Sequence, residues 1–406
     1  MLRVFKISVL LLVLGSQVAF GGVRCDTTTR KPRHLRDSIP PHDVLDLMRQ
    51  FLHLGTAGAQ HDSVGRKPVF SMVPAAGYEL QSRMAILLSG NVAFRLSDNA
   101  RVSVLNFSSS YTQNAQFTLP LLWNAWTNNN DFNLVGDLRF YAYPQSTFGL
   151  GSSTAIRDPD PMNYNYFRFS EAALRHITGN LYLGVGYILD DHWAISRQLP
   201  INATFPSFVN FYNSSHTVSS GFTLNGVFDS RDCSINPSKG FYASYQFREN
   251  IRALGSTAAW SSLIVDVRKY FRFPASSDNV LAFWSYDSVT LSGDPPYLDL
   301  PSTLWDNNTN AGRGYIQGRF RGAQMIYAES EYRYSITRDG LLGGVFFVNI
   351  QSFSAAPGTH LQSFQPGYGP GIRIKLNKVS KTNICMDYGF GTQGSHGLFV
   401  NIGELF

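Results

Sequence analysis

The sequence has few cysteines, few charged residues and no long apolar run beyond its first residues. Its only three cysteines are Cys25, Cys233 and Cys385, and their spacing fits neither a metal-ligand motif nor a disulfide framework. Charged residues make up 15% of the chain, which is low for a soluble surface. Past residue 22, no run approaches the about 18 apolar residues that a membrane-spanning helix needs. These shortages argue against a disulfide-stapled domain and against a helical membrane protein.

Aromatic residues, by contrast, are abundant. They make up 14% of the chain, while the mean hydropathy is close to zero. This combination is typical of a transmembrane β-barrel, because one face of each strand meets lipid and the other meets water. The formal charge of +6 is not concentrated in a basic cluster, so nucleic acid is not an expected partner.

The first 22 residues have the features of a secretory signal peptide. A basic start precedes the apolar run 7–14, and small residues follow it. Cys25 lies just after this segment, which raises lipidation as an alternative. Arg24 directly before it argues against a lipoprotein signal, so an incidental cysteine is favoured. A signal peptide ahead of a barrel predicts the outer membrane of a Gram-negative bacterium.

Residues 23–68 are polar and basic, and they are expected to form a short periplasmic linker. Within them, apolar residues recur at helical spacing, which predicts an amphipathic helix over 41–54. A short ordered linker is the favoured alternative. The segment is too short to build a periplasmic domain with a core of its own.

From Val69 to Phe406 the pattern has a period of two residues, in runs of about ten separated by turn-rich stretches. The sequence therefore predicts an all-β fold, a transmembrane antiparallel barrel of about sixteen strands. The predicted strands are 69–80, 83–95, 101–111, 114–124, 131–142, 163–176, 180–190, 215–228, 240–250, 257–272, 279–291, 322–336, 340–351, 366–377, 382–391 and 396–406. Tight turns such as 337–340 and 391–397 are expected on one rim. Long loops such as 143–162, 191–214 and 292–321 are expected on the other.

Parity along each strand assigns the two faces. In 328–336 it turns Glu329, Glu331 and Arg333 inward, and in the late strands it turns Arg373 and Asp387 inward. A wet lumen spares these ionised groups the cost of facing lipid. The last strand is expected to pair with the first, because an open edge in lipid leaves backbone groups unsatisfied. The final Phe406 is then expected at the membrane interface.

Four motifs in the last third of the chain belong together. They are GRGYIQGRF (312–320), GPGIR (369–373), CMDYG (385–389) and FVNIGELF (399–406). With the hairpin FDSRDCSINPSKGFY (228–242), this set resembles the BamA/TamA outer-membrane assembly superfamily, also called the bacterial surface antigen family. The resemblance implies a sixteen-stranded barrel whose sixth extracellular loop folds back into the lumen.

The resemblance also implies site residues. The loop motif falls on Arg313, Gly314 and Tyr315. The lumen partners fall on Gly369, Gly371, Arg373, Asp387 and Gly389. The terminal strand signal falls on Leu398, Val400, Ile402 and Phe406. Arg313 is expected to pair with Asp387, and a solvated loop arginine is the alternative. Gly312 stands where the family usually has Val or Ile, which predicts a looser loop tip.

Three functions remain open at this point. The first is insertion, assembly or translocation of outer-membrane proteins. Its partners would be outer-membrane lipids, unfolded outer-membrane proteins and periplasmic or lipoprotein components. The second is a passive channel or a structural subunit of an envelope complex. The third, an outer-membrane enzyme, is not expected, because none of the nine histidines lies in a nucleophile motif. No cofactor or metal motif is present.

Overall fold

A computed structural model describes residues 41–44, 46–47, 68–79, 83–157, 159–198, 214–305, 310–378 and 381–406. The predicted signal peptide and most of the predicted linker lie outside these residues. The described part of the chain forms one antiparallel sheet that curls into a barrel. Within it, no helix is long and apolar enough to cross a membrane.

Sixteen long strands and one short strand make up the sheet. They are β1 (Val69–Glu79), β2 (Arg83–Phe94), β3 (Ser103–Thr112), β4 (Phe117–Trp126), β5 (Phe132–Ala142), β6 (Gln145–Thr147), β7 (Asp160–Thr178), β8 (Leu181–Arg197), β9 (His216–Asp229), β10 (Gly240–Asn250), β11 (Trp260–Arg272), β12 (Val280–Gly293), β13 (Gln324–Ser335), β14 (Leu342–Phe353), β15 (Gln365–Asn377), β16 (Thr382–Phe390) and β17 (His396–Ile402). The short β6 pairs only with β7. Among the described residues, three 3-10 turns lie between strands, at Asn128–Asn130, Arg252–Leu254 and Tyr297–Asp299. The predicted set of sixteen strands is confirmed.

The two-residue period produces the two faces of the barrel wall. In β13, the side chains of Glu329, Glu331 and Arg333 turn inward and are buried. Ile326 has the opposite parity, and its side chain is 39% exposed. Exposed apolar side chains recur on the outward face of the other long strands, including Phe222, Phe346, Tyr368 and Ile372. A continuous exposed apolar band of this kind is what lipid contact requires.

The wall is uneven in height. β7 has 19 residues and β8 has 17, whereas β16 has 9 and β17 only 7. At about 3.3 Å per residue, β7 is about 60 Å long and β17 about 23 Å. β17 lies beside β1. In the described residues no backbone ladder joins these two strands, since β1 pairs with β2 and β17 pairs with β16.

The two rims differ in their connections. One rim, here called the short-turn rim, carries turns such as 179–180, 336–341 and 378–381. The opposite, long-loop rim carries 143–159, 294–323 and 354–364. The predicted asymmetry is confirmed with one correction. The tight turn after β16 lies on the long-loop rim, because an odd number of strands separates it from the 336–341 turn.

The end of the chain does not continue the last strand, which corrects the predicted span 396–406. β17 stops at Ile402, and Gly403 adopts a φ of +94° that side-chain-bearing residues rarely take. The chain then turns into the lumen, where Phe406 is 3% exposed and stacks on Trp284 at 5.1 Å between ring centroids. The expectation that Phe406 lies at the membrane interface is therefore wrong. Its ring instead packs against buried aromatic side chains inside the barrel.

The cysteines also differ from expectation. Cys233, in the β9–β10 turn, is buried and disulfide-bonded, so the expectation that the cysteines form no disulfide framework is wrong for this residue. Cys385 is a buried free thiol that donates to the carbonyl of Gly403 at 3.1 Å. Cys25 lies outside the described residues.

Candidate functional site in the barrel lumen

The loop between β12 and β13, residues 294–323, folds back into the barrel instead of extending outward. Its buried residues include Arg313, which is 1% exposed, and Tyr315 and Phe320, which are 0% exposed. Moving an ion out of water costs roughly several kcal/mol, so a buried guanidinium needs charged or polar partners that offset this cost. The position of Arg313 is thus defined by its partners on the barrel wall.

Those partners are carboxylates on two strands. Arg313 Nη1 donates to Asp387 Oδ2 on β16 at 2.5 Å. Its Nη2 donates to both Glu329 and Glu331 on β13. The guanidinium carbon also lies 3.8 Å from the centre of the Phe347 ring, which adds a cation–π contact. One loop side chain therefore joins strands on both sides of β14 and β15.

Two further arginines extend this network, here called the arginine cluster. Arg373 Nη1 donates to Asp387 Oδ1 at 2.5 Å, and its Nε donates to Glu404 Oε2 at 2.9 Å. Arg333 Nε donates to Glu331 Oε2 at 2.6 Å, and its Nη2 donates to the carbonyl of Phe406 at 2.9 Å. The cluster therefore holds the loop, the strands and the inward-turned chain end together.

Glycines let the loop backbone rest directly on the wall. Gly314 has a φ of +101°, and a Cβ there would lie 2.7 Å from the carbonyl oxygen of Phe390. On the facing strand, a Cβ at Gly389 would lie 2.6 Å from the Gly314 nitrogen. Neither position can carry a side chain unless the contact opens.

Gly312, the departure from the family pattern, has a specific structural reason. Its φ is +122°, and a Cβ would lie 2.5 Å from Thr303 Cγ2. The loop tip is therefore tightly fitted at this residue, and the looser tip predicted from the sequence is not found. Tyr315 adds to the fit, because its hydroxyl donates to the Pro366 carbonyl at 2.5 Å.

The structure brings most of the sequence-predicted residues together. Gly369 and Gly371 lie on β15, where Gly371 pairs with Asp387 of β16. On β17, Leu398, Val400 and Ile402 point outward, away from the arginine cluster, with exposures of 36%, 40% and 51%. Phe406 is separated from those three and lies inside.

Sequence reasoning missed three members of the cluster. Glu329 and Glu331 were predicted to face the lumen but not to bind Arg313, and Glu404 was not singled out. For Glu329 and Glu331, the usable signal was that two acids and Arg333 share the inward face of β13. For Glu404 the signal was Gly403, a residue that breaks a strand readily.

The remaining lumen forms a chamber of about 1340 Å³. Its wall comes from β2 to β12 together with Thr382, Ile402 and Gly403, and turns of the short-turn rim, including 98–102 and 229–235, also line it. A smaller cavity of about 100 Å³ is lined by loop residues Leu298, Asp299 and Trp305.

A histidine near the long-loop rim allows one geometric test of the enzyme alternative. His216 Nε2 lies 2.7 Å from Asp191 Oδ1. The hydroxyl of Ser214 is bonded to the main chain of His216 and not to its ring. In this part of the described chain the hydrogen bond from nucleophile to base, which a serine hydrolase needs, is not formed.

Comparisons with known structures find chains of similar fold. The chain is similar to BamA from Haemophilus ducreyi lacking POTRA domains 1–3, with a TM-score of 0.52 and 13% identity over 83% of this chain and 69% of that one. It is also similar to CdiB from Acinetobacter baumannii, with a TM-score of 0.53 and 13% identity over 83% of this chain and 60% of that one. This chain thus spans less than two thirds of the CdiB chain.

The fold is that of the outer-membrane β-barrels. Within that class, the overall fold is similar to those of BamA and CdiB. No family model and no curated protein matches the sequence, so the likeness is one of fold.

Proposed function

We propose that this protein is a barrel of the outer membrane of a Gram-negative bacterium and acts in the insertion, assembly or translocation of outer-membrane proteins. The single observation that carries this proposal is the seam between β1 and β17. Every other pair of neighbouring long strands forms a backbone ladder in the described residues, and this pair does not. Unpaired strand edges are templates for another chain.

The short wall at the seam supports the same proposal. β17 has 7 residues, and a strand of that length tilted by about 40° covers only about 18 Å of membrane thickness. An outer-membrane barrel presents an apolar band of about 25 Å. A bilayer next to β17 would have to thin, and a thinned bilayer lowers the barrier for inserting a client strand.

In this mechanism the arginine cluster holds the late strands and loop 294–323 as one rigid unit, while β1 is free to separate from β17. A client strand would add to the exposed edge through backbone hydrogen bonds, which need no particular client sequence. No catalytic group takes part, so we propose a physical rather than an enzymatic role. Its partners would be outer-membrane lipids, unfolded outer-membrane proteins and periplasmic or lipoprotein components.

A cross-linking experiment tests the seam. Cysteine pairs are placed with one residue in β1 and one in β17, in a variant whose three native cysteines are serine and whose folding has been verified. Cells depleted of the native protein and supplied with the cross-linked variant are expected to lose a broad range of outer-membrane barrels. Reductant should restore them.

The matched control is a cysteine pair at Tyr388 and Leu398, which face each other across the existing β16–β17 ladder. Both side chains are outward and about equally exposed, at 39% and 36%. This cross-link should leave the outer-membrane composition unchanged. A normal census of barrels with a fully cross-linked seam would show that the seam does not open in function.

A passive channel is the second candidate, and the chamber of about 1340 Å³ is the observation that favours it. The residues of loop 294–323 that are buried in the lumen, such as Arg313 and Tyr315, oppose it. Single-channel recordings separate the two functions, since a porin gives a large stable conductance and a plugged assembly barrel gives a small flickering one.

A further inference from the structure

The smaller cavity, of about 100 Å³, lies where loop 294–323 meets the barrel wall. The loop contributes Leu298, Ser302, Trp305 and Arg321, among others, and the wall contributes residues of β5, β7, β8 and β10 to β13. A cavity of this size holds several water molecules, since one water needs roughly 10–15 Å³. An occupant of the cavity therefore lies between the loop and the wall.

Four side chains that line the cavity carry a buried polar atom with no hydrogen-bond partner among the described residues. These atoms are Ser302 Oγ, Trp305 Nε1, Arg321 Nε and His192 Nδ1. The nitrogens of Trp305 and Arg321 can only donate, and the Ser302 hydroxyl can donate as well. Burying a donor without an acceptor is unfavourable, so these atoms indicate that an acceptor occupies the cavity.

The loop side of the cavity is positively charged. Arg321 is 2% exposed, and its Nη1 donates to three main-chain carbonyls at 3.1, 3.3 and 3.3 Å. In the part of the chain that the structure describes, no carboxylate forms an ion pair with it. A buried cation of this kind is stabilised by a counter-ion, which an anion in the cavity would supply.

The wall side adds a second excess positive charge. Arg168 Nε donates to Asp190 Oδ1 at 2.7 Å, and Arg248 Nη1 donates to Asp190 Oδ2 at 2.5 Å. These two guanidinium groups therefore share one carboxylate. Arg139, which also lines the cavity, pairs with Asp137 and leaves no excess.

Asp299 is the one carboxyl among the described residues that line the cavity. It accepts from Ser219 Oγ at 2.7 Å, and its Oδ1 lies 3.8 Å from His192 Nδ1. Burial, followed by the nearby negative charge of Asp190, raises the pKa of Asp299 to about 7. At about pH 6 the carboxyl is therefore mostly protonated and does not repel an anion.

We propose that this cavity binds one free tetrahedral oxyanion of the phosphate or sulfate class, held between Arg321 and Trp305 of the loop and the two arginines that share Asp190. Guanidinium groups form strong, charge-assisted hydrogen bonds with such oxyanions. A water molecule could accept from the same donors but would not offset the positive charge. Because the ion contacts both sides, it strengthens the attachment of loop 294–323 to the wall. The proposal does not depend on the proposed function.

Equilibrium dialysis tests the binding. Purified full-length barrel is dialysed at about pH 6 against radiolabelled sulfate, with chloride keeping the ionic strength constant. We expect saturable binding of one sulfate per barrel and displacement by inorganic phosphate. Glycerol phosphate at the same concentration should not displace it, because the cavity has no room for the glycerol group. Absence of saturable binding would overturn the proposal, and equal displacement by glycerol phosphate would overturn the assignment to a free ion.

Variants locate the bound ion. Trp305→Phe keeps an aromatic ring but removes the indole N–H, so the affinity for sulfate should fall about threefold to tenfold. Arg321→Gln should lower it by about tenfold or more. Heat-modifiable mobility on gels verifies that each variant is folded, and Trp305→Phe decides the test if Arg321→Gln does not fold. Unchanged affinity in Trp305→Phe would overturn the site.

The matched control is Arg319→Gln. Arg319 lies on the same loop, is 1% exposed and donates to Thr154, but it does not line the cavity. This variant should bind sulfate with the affinity of the native chain. If Arg319→Gln lost as much affinity as Arg321→Gln, the effect would come from displacement of the loop, and the site would be overturned.

Urea unfolding in lipid vesicles tests whether the ion attaches the loop to the wall. Sulfate at ten times its dissociation constant should raise the ratio of folded to unfolded barrel about elevenfold in the native chain and about twofold to fourfold in Trp305→Phe. Sulfate also stabilises proteins in general, and that effect is the same in both chains. Equal gains in the two chains would overturn the stabilising role of the ion.

Discussion

The two halves of the lumen carry the same kinds of charged residue but use them differently. In the open half, facing the chamber, two arginines pair with an aspartate two residues away on their own strand, Arg139 with Asp137 and Arg268 with Asp266. Arg168 instead reaches Asp190 on the neighbouring strand. In the packed half, Arg313 binds acids that are 16, 18 and 74 residues distant along the chain.

This difference separates solvated pairs from structural ones. In the Arg268–Asp266 pair both side chains remain 11% exposed beside the chamber. Arg313 and its acids are 0–1% exposed. A pair next to water can be rehydrated when one partner is removed, whereas a buried one leaves an uncompensated charge. The packed half should therefore be the part of the wall that tolerates substitution least.

The largest predicted effect is at Arg313. Arg313→Ala leaves the buried Glu329 without its ion-pair partner and takes one cation from Glu331 and Asp387, so we expect a loss of about 3–5 kcal/mol of unfolding free energy. Urea unfolding of the barrel in lipid vesicles, followed by heat-modifiable mobility on gels, measures it.

Arg268→Ala is the matched control from the open half, and its cost should stay near about 1 kcal/mol because its partner meets the chamber water. Arg313→Lys refines the result. A single ammonium keeps the charge but cannot serve Asp387 and both glutamates as the guanidinium fork does, so most of the loss should remain. Equal costs for the two alanine variants would erase the distinction between the halves.

The second predicted effect tests the close contact of the loop with the wall. Gly314→Ala should cost about 2–3 kcal/mol, because it combines a left-handed backbone with a clash against the Phe390 carbonyl. Gly340→Ala is the control: its φ is +74° and nothing lies within 4 Å of the added Cβ. The difference between the two unfolding free energies isolates the contact from the backbone strain. No difference would mean that the loop lifts away at little cost.

Much of the wall could be predicted from the sequence, because a period of two residues fixes which side chains share a face. Glu331 and Arg333 were placed in the lumen by parity alone. The Arg313–Asp387 contact was expected only through the resemblance of short motifs. Loop 294–323 has no periodic pattern from which its position in the lumen could be predicted.

The chain end was predicted wrongly for a related reason. In the run from His396 to Phe406, Gly403 weakens the strand, but one glycine does not force the strand to end. The turn depends on the backbone conformation of Gly403 and on Glu404 meeting Arg373. Those partners are distant in sequence, so local pattern carries no information about them.

The smallest predicted effect lies where the two halves meet. Asp299 belongs to loop 294–323, its side chain is 3% exposed, and it accepts from Ser219 Oγ of the open half at 2.7 Å. Burial, followed by the nearby negative charge of Asp190, raises the pKa of Asp299 to about 7. Other charged or titratable groups facing it are His192, Arg168 and Arg248.

The sign of the pH dependence follows. The pKa of Asp299 is higher in the folded barrel than in the unfolded chain, so its stabilising effect is complete below about pH 4 and is lost as the pH rises through about 7. Asp299→Asn keeps a neutral acceptor for Ser219. It should raise the unfolding free energy at pH 8 by about 1–2 kcal/mol and flatten its decline between pH 5 and 8. Asp294→Asn, at an exposed position of the same loop, should change neither. A decline that persists in Asp299→Asn would move the pH sensitivity away from the contact between the two halves and into one of them.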